Sequence, residues 1–217
     1  MAEHQILVVG LGRFGSALAK ELVALGHEVL GVDTDRKVVQ QHADDLTHVV
    51  EADSIDADVL RQLGAGDFAV AVVAIGSDLE ASILTTAALA DLGVETIWAK
   101  AVTEAHGRIL ERVGADHVVY PEGDMGRRVA HRVAGRILDW FQLDEDFALV
   151  ETSVPAELMG RSLADSGVRA KYGVTVVAIK PAGGSFDYAT AETVPGPGDV
   201  VVVSGRTKAV ERFAERV

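Results

Sequence analysis

Gly10, Gly12 and Gly15 stand in the order Gly-x-Gly-x-x-Gly, and Asp33 lies 18 positions beyond Gly15. Each residue type suits one part of a nucleotide. Gly10 allows a tight turn, Gly12 lets a phosphate approach the backbone, and Gly15 lets a helix pack closely on a strand. The loop follows the apolar run Ile-Leu-Val-Val and opens the segment Phe-Gly-Ser-Ala-Leu-Ala-Lys-Glu-Leu. That strand-loop-helix context is what separates a phosphate-binding fingerprint from an ordinary turn. The helix start then offers free N–H groups and a favourable dipole to an anion. Asp33 ends the run Val-Leu-Gly-Val-Asp. A carboxylate there accepts both ribose hydroxyls and repels a 2′-phosphate, which disfavours NADP. Arg13 and Phe14 sit inside the loop and share its position.

Weaker candidates follow later apolar runs. Asp53 and Ser54 stand where an adenine edge would lie, Ile75-Gly76-Ser77-Asp78 after the next run, and Lys100 after the one beyond. Open α/β sheets bind ligands at the carboxyl ends of their strands. Singly, each of these residues is more often a loop polar group than a ligand contact. Lys100 and His106 are the candidates for acid–base work near such a cleft. Lys100 serves equally as an electrostatic contact to phosphate, and His106 reads as a surface histidine on a helix. The sequence has no cysteine, no His-Glu-x-x-His, no Gly-x-Ser-x-Gly and no P-loop lysine motif. Thiolate sites and disulfides are therefore excluded, and neither a histidine metal site nor a nucleophile elbow is indicated. The cleft reads as binding without turnover, so the chain is not expected to be an enzyme.

The elements that would position these residues can be read from the pattern. Val-rich runs at 6–9, 29–32, 48–50, 69–74, 96–99 and 117–120 predict buried strands. Between them Phe14, Leu18, Leu22 and Leu25 recur at helical spacing before Gly26. Helices are also predicted at 56–63, 78–92 and 104–113, closed by Gly64, Gly93 and Gly114. Six strands alternating with helices predict a doubly wound parallel sheet of the Rossmann type over residues 1–120. Residues 121–143 read as one linking helix with Met125, Val129, Val133, Ile137 and Trp140 on a stripe. Its other face carries Arg127, Arg128, Arg132 and Arg136 as a solvated surface. From 144 to 217 the runs 148–154, 174–180 and 199–204, with turns at Gly183-Gly184 and 195–198, predict a smaller α+β domain.

The charge is 20 minus 33, or −13, with no basic run. That balance argues against nucleic acid and against anionic lipid. No stretch reaches the about 18 apolar residues of a membrane span, and the first residues lack the basic region of a secretion signal. A soluble, cytoplasmic protein is expected.

The ordered run Gly-Leu-Gly-Arg-Phe-Gly, Gly-His-Glu-Val-Leu-Gly-Val-Asp, VVAIGSDLEASILTT, IWAKA, VGADHVVYPEGDMG and VRAKYGVTVVAIK resembles the RCK (KTN) family, the regulators of potassium channels and transporters. The likeness is strongest to cytosolic subunits of Ktr-type uptake systems and covers nearly the whole chain. It implies an N-terminal nucleotide-binding lobe and an RCK_C lobe. It also implies a homo-oligomer, an octameric ring of N-lobes beneath a membrane potassium-translocating subunit, peripheral to the membrane through that partner. In such proteins ATP and ADP favour different ring shapes. The resemblance assigns Arg13 to the γ-phosphate, Asp33 to ribose, and Glu122 to a divalent or monovalent cation near the phosphates. It further implies C-lobe dimers, with cyclic di-AMP bound near Val168, Arg169, Ala170 and Lys171. The alternative is an NAD(H)-binding redox sensor or an NAD-dependent oxidoreductase.

Overall fold

The computed structural model describes residues 5–134 and 137–217. Contacts divide the chain into two units, Met1–Gly123 and Asp124–Val217. In the first unit the elements run β1 (Gln5–Val9), α1 (Arg13–Ala24), β2 (Glu28–Asp33), α2 (Arg36–His42), β3 (His48–Glu51) and α3 (Ala57–Gln62). They continue with β4 (Val70–Val73), α4 (Leu79–Asp91), β5 (Thr96–Lys100), α5 (Glu104–Arg112) and β6 (His117–Val119). The strands form one sheet in the order β3-β2-β1-β4-β5-β6. Every neighbouring pair is parallel. This is the doubly wound arrangement the alternation predicts. The strands are covered on both faces, so they lack a polar side: Leu7, Val8 and Val9 are all buried. Leu7, Val9, Val32, Val73 and Ile97 pack on one face. Ile6, Val8, Val29 and Val72 pack on the other, against Ala19 of α1.

The apolar stripe of α1 differs from the reading of its large residues. Gly15 and Ala19 are the buried ones, whereas Leu25 is half exposed. Small residues face the sheet because the helix lies close to it. The short helix α2 is capped by Asp35, whose side chain accepts from the N–H of Lys37, and turns Val38 and His42 toward the core.

After β6 comes α6 (Pro121–Val133), and the second unit continues with β7 (Ile137–Asp144), β8 (Phe147–Ser153), α7 (Leu163–Ser166), α8 (Val168–Tyr172), β9 (Val174–Lys180), β10 (Asp187–Tyr188), β11 (Val200–Arg206) and α9 (Thr207–Ala214). The expected helix over 121–143 is corrected here. It ends at Val133, and Ile137 and Trp140 belong to the edge strand of an antiparallel sheet ordered β10-β9-β11-β8-β7. Helical spacing misled because Ile137 and Trp140 are also three apart across a register shift that follows Ile137. Both are buried in the core of this unit with Val150, Val203 and Phe213.

The solvated arginine face is corrected in part as well. Arg128 donates from Nε and a terminal nitrogen to the two carboxylate oxygens of Asp139, at 2.6 and 2.5 Å, and lies over the Phe141 ring. Arg128 thereby holds the Asp139 carboxyl below its ordinary range. Arg136 lies outside the described residues. No described helix is long and apolar enough to cross a membrane.

Phe213 is 1% exposed and meets the Tyr172 ring edge-on. Phe213→Ala should destabilise the second unit by about 3–5 kcal/mol. Urea unfolding followed by Trp140 fluorescence in a Trp98→Phe background measures this, and an unmoved midpoint would contradict the core assignment.

Candidate nucleotide-binding cleft

The β1–α1 junction rests on two steric facts. Gly10 has φ +90°, and a Cβ there would press on Ala74 and Ile75. A Cβ on Gly15 would lie 1.9 Å from the carbonyl oxygen of Gly10. Helix α1 therefore starts directly against the end of β1, as close helix–strand packing demands. Gly12 differs. Its φ of −62° suits any residue, and a Cβ there would meet nothing within 4 Å. No protein contact requires glycine at this position, and the position is open toward the cleft.

Asp33 faces this loop from the end of β2. Its Oδ2 accepts the N–H of Leu11 at 2.7 Å, and its Oδ1 accepts the N–H of Asp35 at 2.9 Å. The carboxylate is thus fixed in orientation, while each oxygen keeps acceptor capacity for a ribose hydroxyl.

One cleft of about 660 Å³ gathers Gly10, Gly12, Arg13, Phe14, Asp33, Asp53, Ser54, Ile75, Gly76, Lys100 and Glu122. That size is ordinary for a small-molecule site. The cleft lies at the carboxyl ends of the strands, around the point between β1 and β4 where strand order reverses. Gly15 is not on its wall but packs behind it. Thr34, Ile55 and Val102 line the cleft without having been singled out. Each directly follows or nearly follows a residue that was, so the signal was position along the loop. Ser54 lines the wall, but its hydroxyl is buried and bonds that of Thr85 at 2.8 Å. Asp53 and Asp78 fold back on the N–H groups of Ile55 and Ala81.

Lys100 is 8% exposed. Its Nζ donates to Glu122 Oε1 at 2.6 Å and stands 5.9 Å from the centre of the Phe14 ring. The bond from Lys100 lowers the Glu122 carboxyl below its ordinary value. The pair's stabilisation is complete above about pH 4.5 and is lost as pH falls through the lowered value. Among the described residues no group of three or more His, Asp or Glu is placed to hold a metal ion. A cation at Glu122 would need ligand phosphates to complete its shell.

His106 is corrected from surface to buried, at 3% exposure. Thr103 caps α5 by accepting from the His106 N–H, and this phase turns His106, Gly107 and Leu110 inward. Its Nδ1 accepts from Val102 N–H at 3.4 Å, and burial lowers its pKa below 6.5. In the second unit Val168, Arg169, Ala170 and Lys171 lie in α8, just before β9. Val168 is buried and the other three are exposed. Lys171 pairs with Glu157 at 2.9 Å.

Residues 6–121 match the TrkA-N domain. The chain is 41% identical over 216 residues to Ktr system potassium uptake protein C of Bacillus subtilis, covering 99% of this chain and 98% of that one. It belongs to the family of Ktr potassium-uptake proteins. Ktr system potassium uptake protein A of the same organism is 38% identical over 210 residues, 96% of this chain and 95% of that one. Among solved structures, the GsuK channel bound to NAD superposes with a TM-score of 0.66 at 20% identity. That alignment covers 98% of this chain and 40% of the channel, so the chain spans less than half of the channel's length. The likeness confirms the RCK fold of both units.

Gly12→Ala should leave the melting temperature within about 2 °C of the parent, because nothing crowds the new methyl. Gly15→Ala should cost about 1–3 kcal/mol through overpacking. Differential scanning calorimetry of both variants decides this, and equal effects would remove the distinction between a ligand-facing and a packing glycine.

Proposed function

We infer that the chain is a nucleotide-sensing regulatory subunit that gates a potassium-translocating membrane protein and performs no turnover. The observation that carries the nucleotide part is the Asp33 carboxylate, oriented by two backbone N–H groups and facing the glycine loop across one cleft. Membership in the Ktr family supports the potassium part. On this reading the chain works in the cytoplasm as a homo-oligomeric ring, octameric by family likeness, held at the membrane by its partner.

Two ligands share the adenosine and diphosphate that the cleft fits. An ATP/ADP switch is favoured by Arg13, an exposed cation on the first residue of α1 and on the cleft wall. NAD(H) is favoured by the similar channel, which is described as bound to NAD. A redox sensor would then replace the energy sensor with the same ribose contact. Either ligand gates only if it binds two ring states unequally, since equal affinity shifts no population. For the second unit, cyclic di-AMP beside α8 is the proposed effector. A two-fold ligand suits a two-fold interface, and Arg169 offers paired hydrogen bonds to phosphate.

A thermal-shift panel of ATP, ADP, AMP, NAD and NADH separates the readings. A ligand at 100 times its Kd stabilises by about 2.7 kcal/mol. Asp33→Ala should weaken every ligand that carries ribose, by about tenfold or more, as a charge-assisted pair is lost. Arg13→Ala should weaken ATP more than ADP, and equal losses would favour the dinucleotide. Calorimetry of the full chain with cyclic di-AMP, before and after Arg169→Ala, tests the second site. No heat at tens of micromolar ligand would leave α8 without that role.

A further inference from the structure

We propose that His106 is a proton-sensitive positioning residue for the nucleotide cleft: its neutral ring ties down the loop that carries Val102, and its protonated ring releases that loop. The proposal rests on the nucleotide reading of the cleft. Val102 follows β5 and lines the cleft with Lys100 and Gly76. A Cβ on Gly76, in the loop after β4, would stand 3.5 Å from Val102 Cγ1. The loop of Ala101, Val102 and Thr103 is fastened at each residue. Ala101 N–H donates to the Val119 carbonyl at 2.9 Å. Val102 N–H donates to His106 Nδ1 at 3.4 Å, and His106 N–H donates to Thr103 Oγ1 at 3.1 Å. The last two bonds form a reciprocal cap much like the Ser/Thr-x-x-Glu/Gln box. The side chain that reaches back here is a histidine, whose acceptor nitrogen can take up a proton near neutral pH.

Accepting at Nδ1 places the ring proton on Nε2, which is buried without a partner among the described residues. A second proton must enter at Nδ1, where it meets the Val102 N–H and ends that bond. The surroundings offer the cation nothing in return. The ring sits in the first turn of α5, where the helix dipole disfavours positive charge. On α5 itself Glu104 and Arg108 are exposed. So are Glu80 and Asp91 on α4 and His117 on β6. On β5 the buried Lys100 is a second cation, and Tyr120, after β6, packs its neutral hydroxyl against Gly107. None of these groups acts on the ring, and burial alone lowers its pKa below 6.5. The stabilisation from the neutral ring is complete above pH 6.5 and is lost as pH falls through the lowered value. The Val102 wall loosens in the same window, so nucleotide affinity falls with it. By linkage, bound nucleotide lowers the His106 pKa further.

The test is calorimetric titration with ADP of the full chain and of His106→Asn, whose Oδ1 can accept the Val102 N–H in place of Nδ1 without titrating. Comparing the two cancels the titration of the ADP phosphate itself, which has a pKa of about 6. Between about pH 8 and about pH 5.5, on either side of the ordinary histidine value, the parent should lose about threefold to tenfold more affinity than His106→Asn, the worth of one backbone hydrogen bond. His106→Leu, which cannot accept, should be weakened by a similar factor already at the alkaline end. In the unmutated chain the Val102 amide should exchange faster, relative to its intrinsic rate, at the acid end, a readout that stands if a variant folds poorly. Parallel pH profiles for the parent and His106→Asn, or Val102 exchange that ignores pH, overturn the coupling and leave the nucleotide site in place. Absence of ADP binding by the parent at every pH overturns the nucleotide reading of the cleft, and the coupling with it.

Discussion

No side chain fits at position 15. The Gly10 carbonyl oxygen occupies the space where a Cβ would go, and this contact fixes where α1 begins relative to β1. From it follows the rest of the cleft. The start of α1 lies at the carboxyl end of the sheet, and Leu11 N–H points at Asp33. Asp33 is then held at the end of β2, and the backbone ladder continues past the strands through Gly10 N–H to Val32 and Ala74 N–H to Val9. The fold and the proposed site are therefore one construction. A residue that loosened the helix start would disturb the glycine loop and the Asp33 carboxylate together.

The polar groups of the cleft divide by what they already hold. Asp53 and Asp78 are committed to backbone N–H groups of their own loops, and the Ser54 hydroxyl is committed to Thr85. These groups shape the wall. Arg13, Lys100 and Glu122 remain as the charges that can respond to an incoming anion. In a chain with a net charge of −13, a polyanionic ligand has little general attraction to the surface, so local cations must supply it. Lys100 is already paired with Glu122, to which its Nζ donates at 2.6 Å.

Much of this was legible in the sequence because strands buried on both faces are written as apolar runs, and glycines end the helices between them. The glycine loop and Asp33 were legible because their spacing is imposed by a strand, a turn and a helix of set length. The limits have equally local causes. Helix α2 was unread because it is only seven residues long and its inward face is just Val38 and the buried His42, too short a pattern to register as a stripe. Strand β7 was read as helix because a register shift after Ile137 spaces its buried residues as a helix would. His106 was placed at the surface because its inward turn is decided by the Thr103 cap three residues earlier. Side-chain commitments such as Ser54 to Thr85 join positions 31 apart, and no local pattern records them.

Hydrogen exchange of the full chain with and without a saturating adenine nucleotide bears most directly on the central claim. Protection should appear in the amides of residues 10–16, 33–35, 52–55 and 75–78, the loops that converge on the cleft. Unchanged exchange there, or protection confined to residues 163–173 of the second unit, would contradict a nucleotide site built on Gly12 and Asp33.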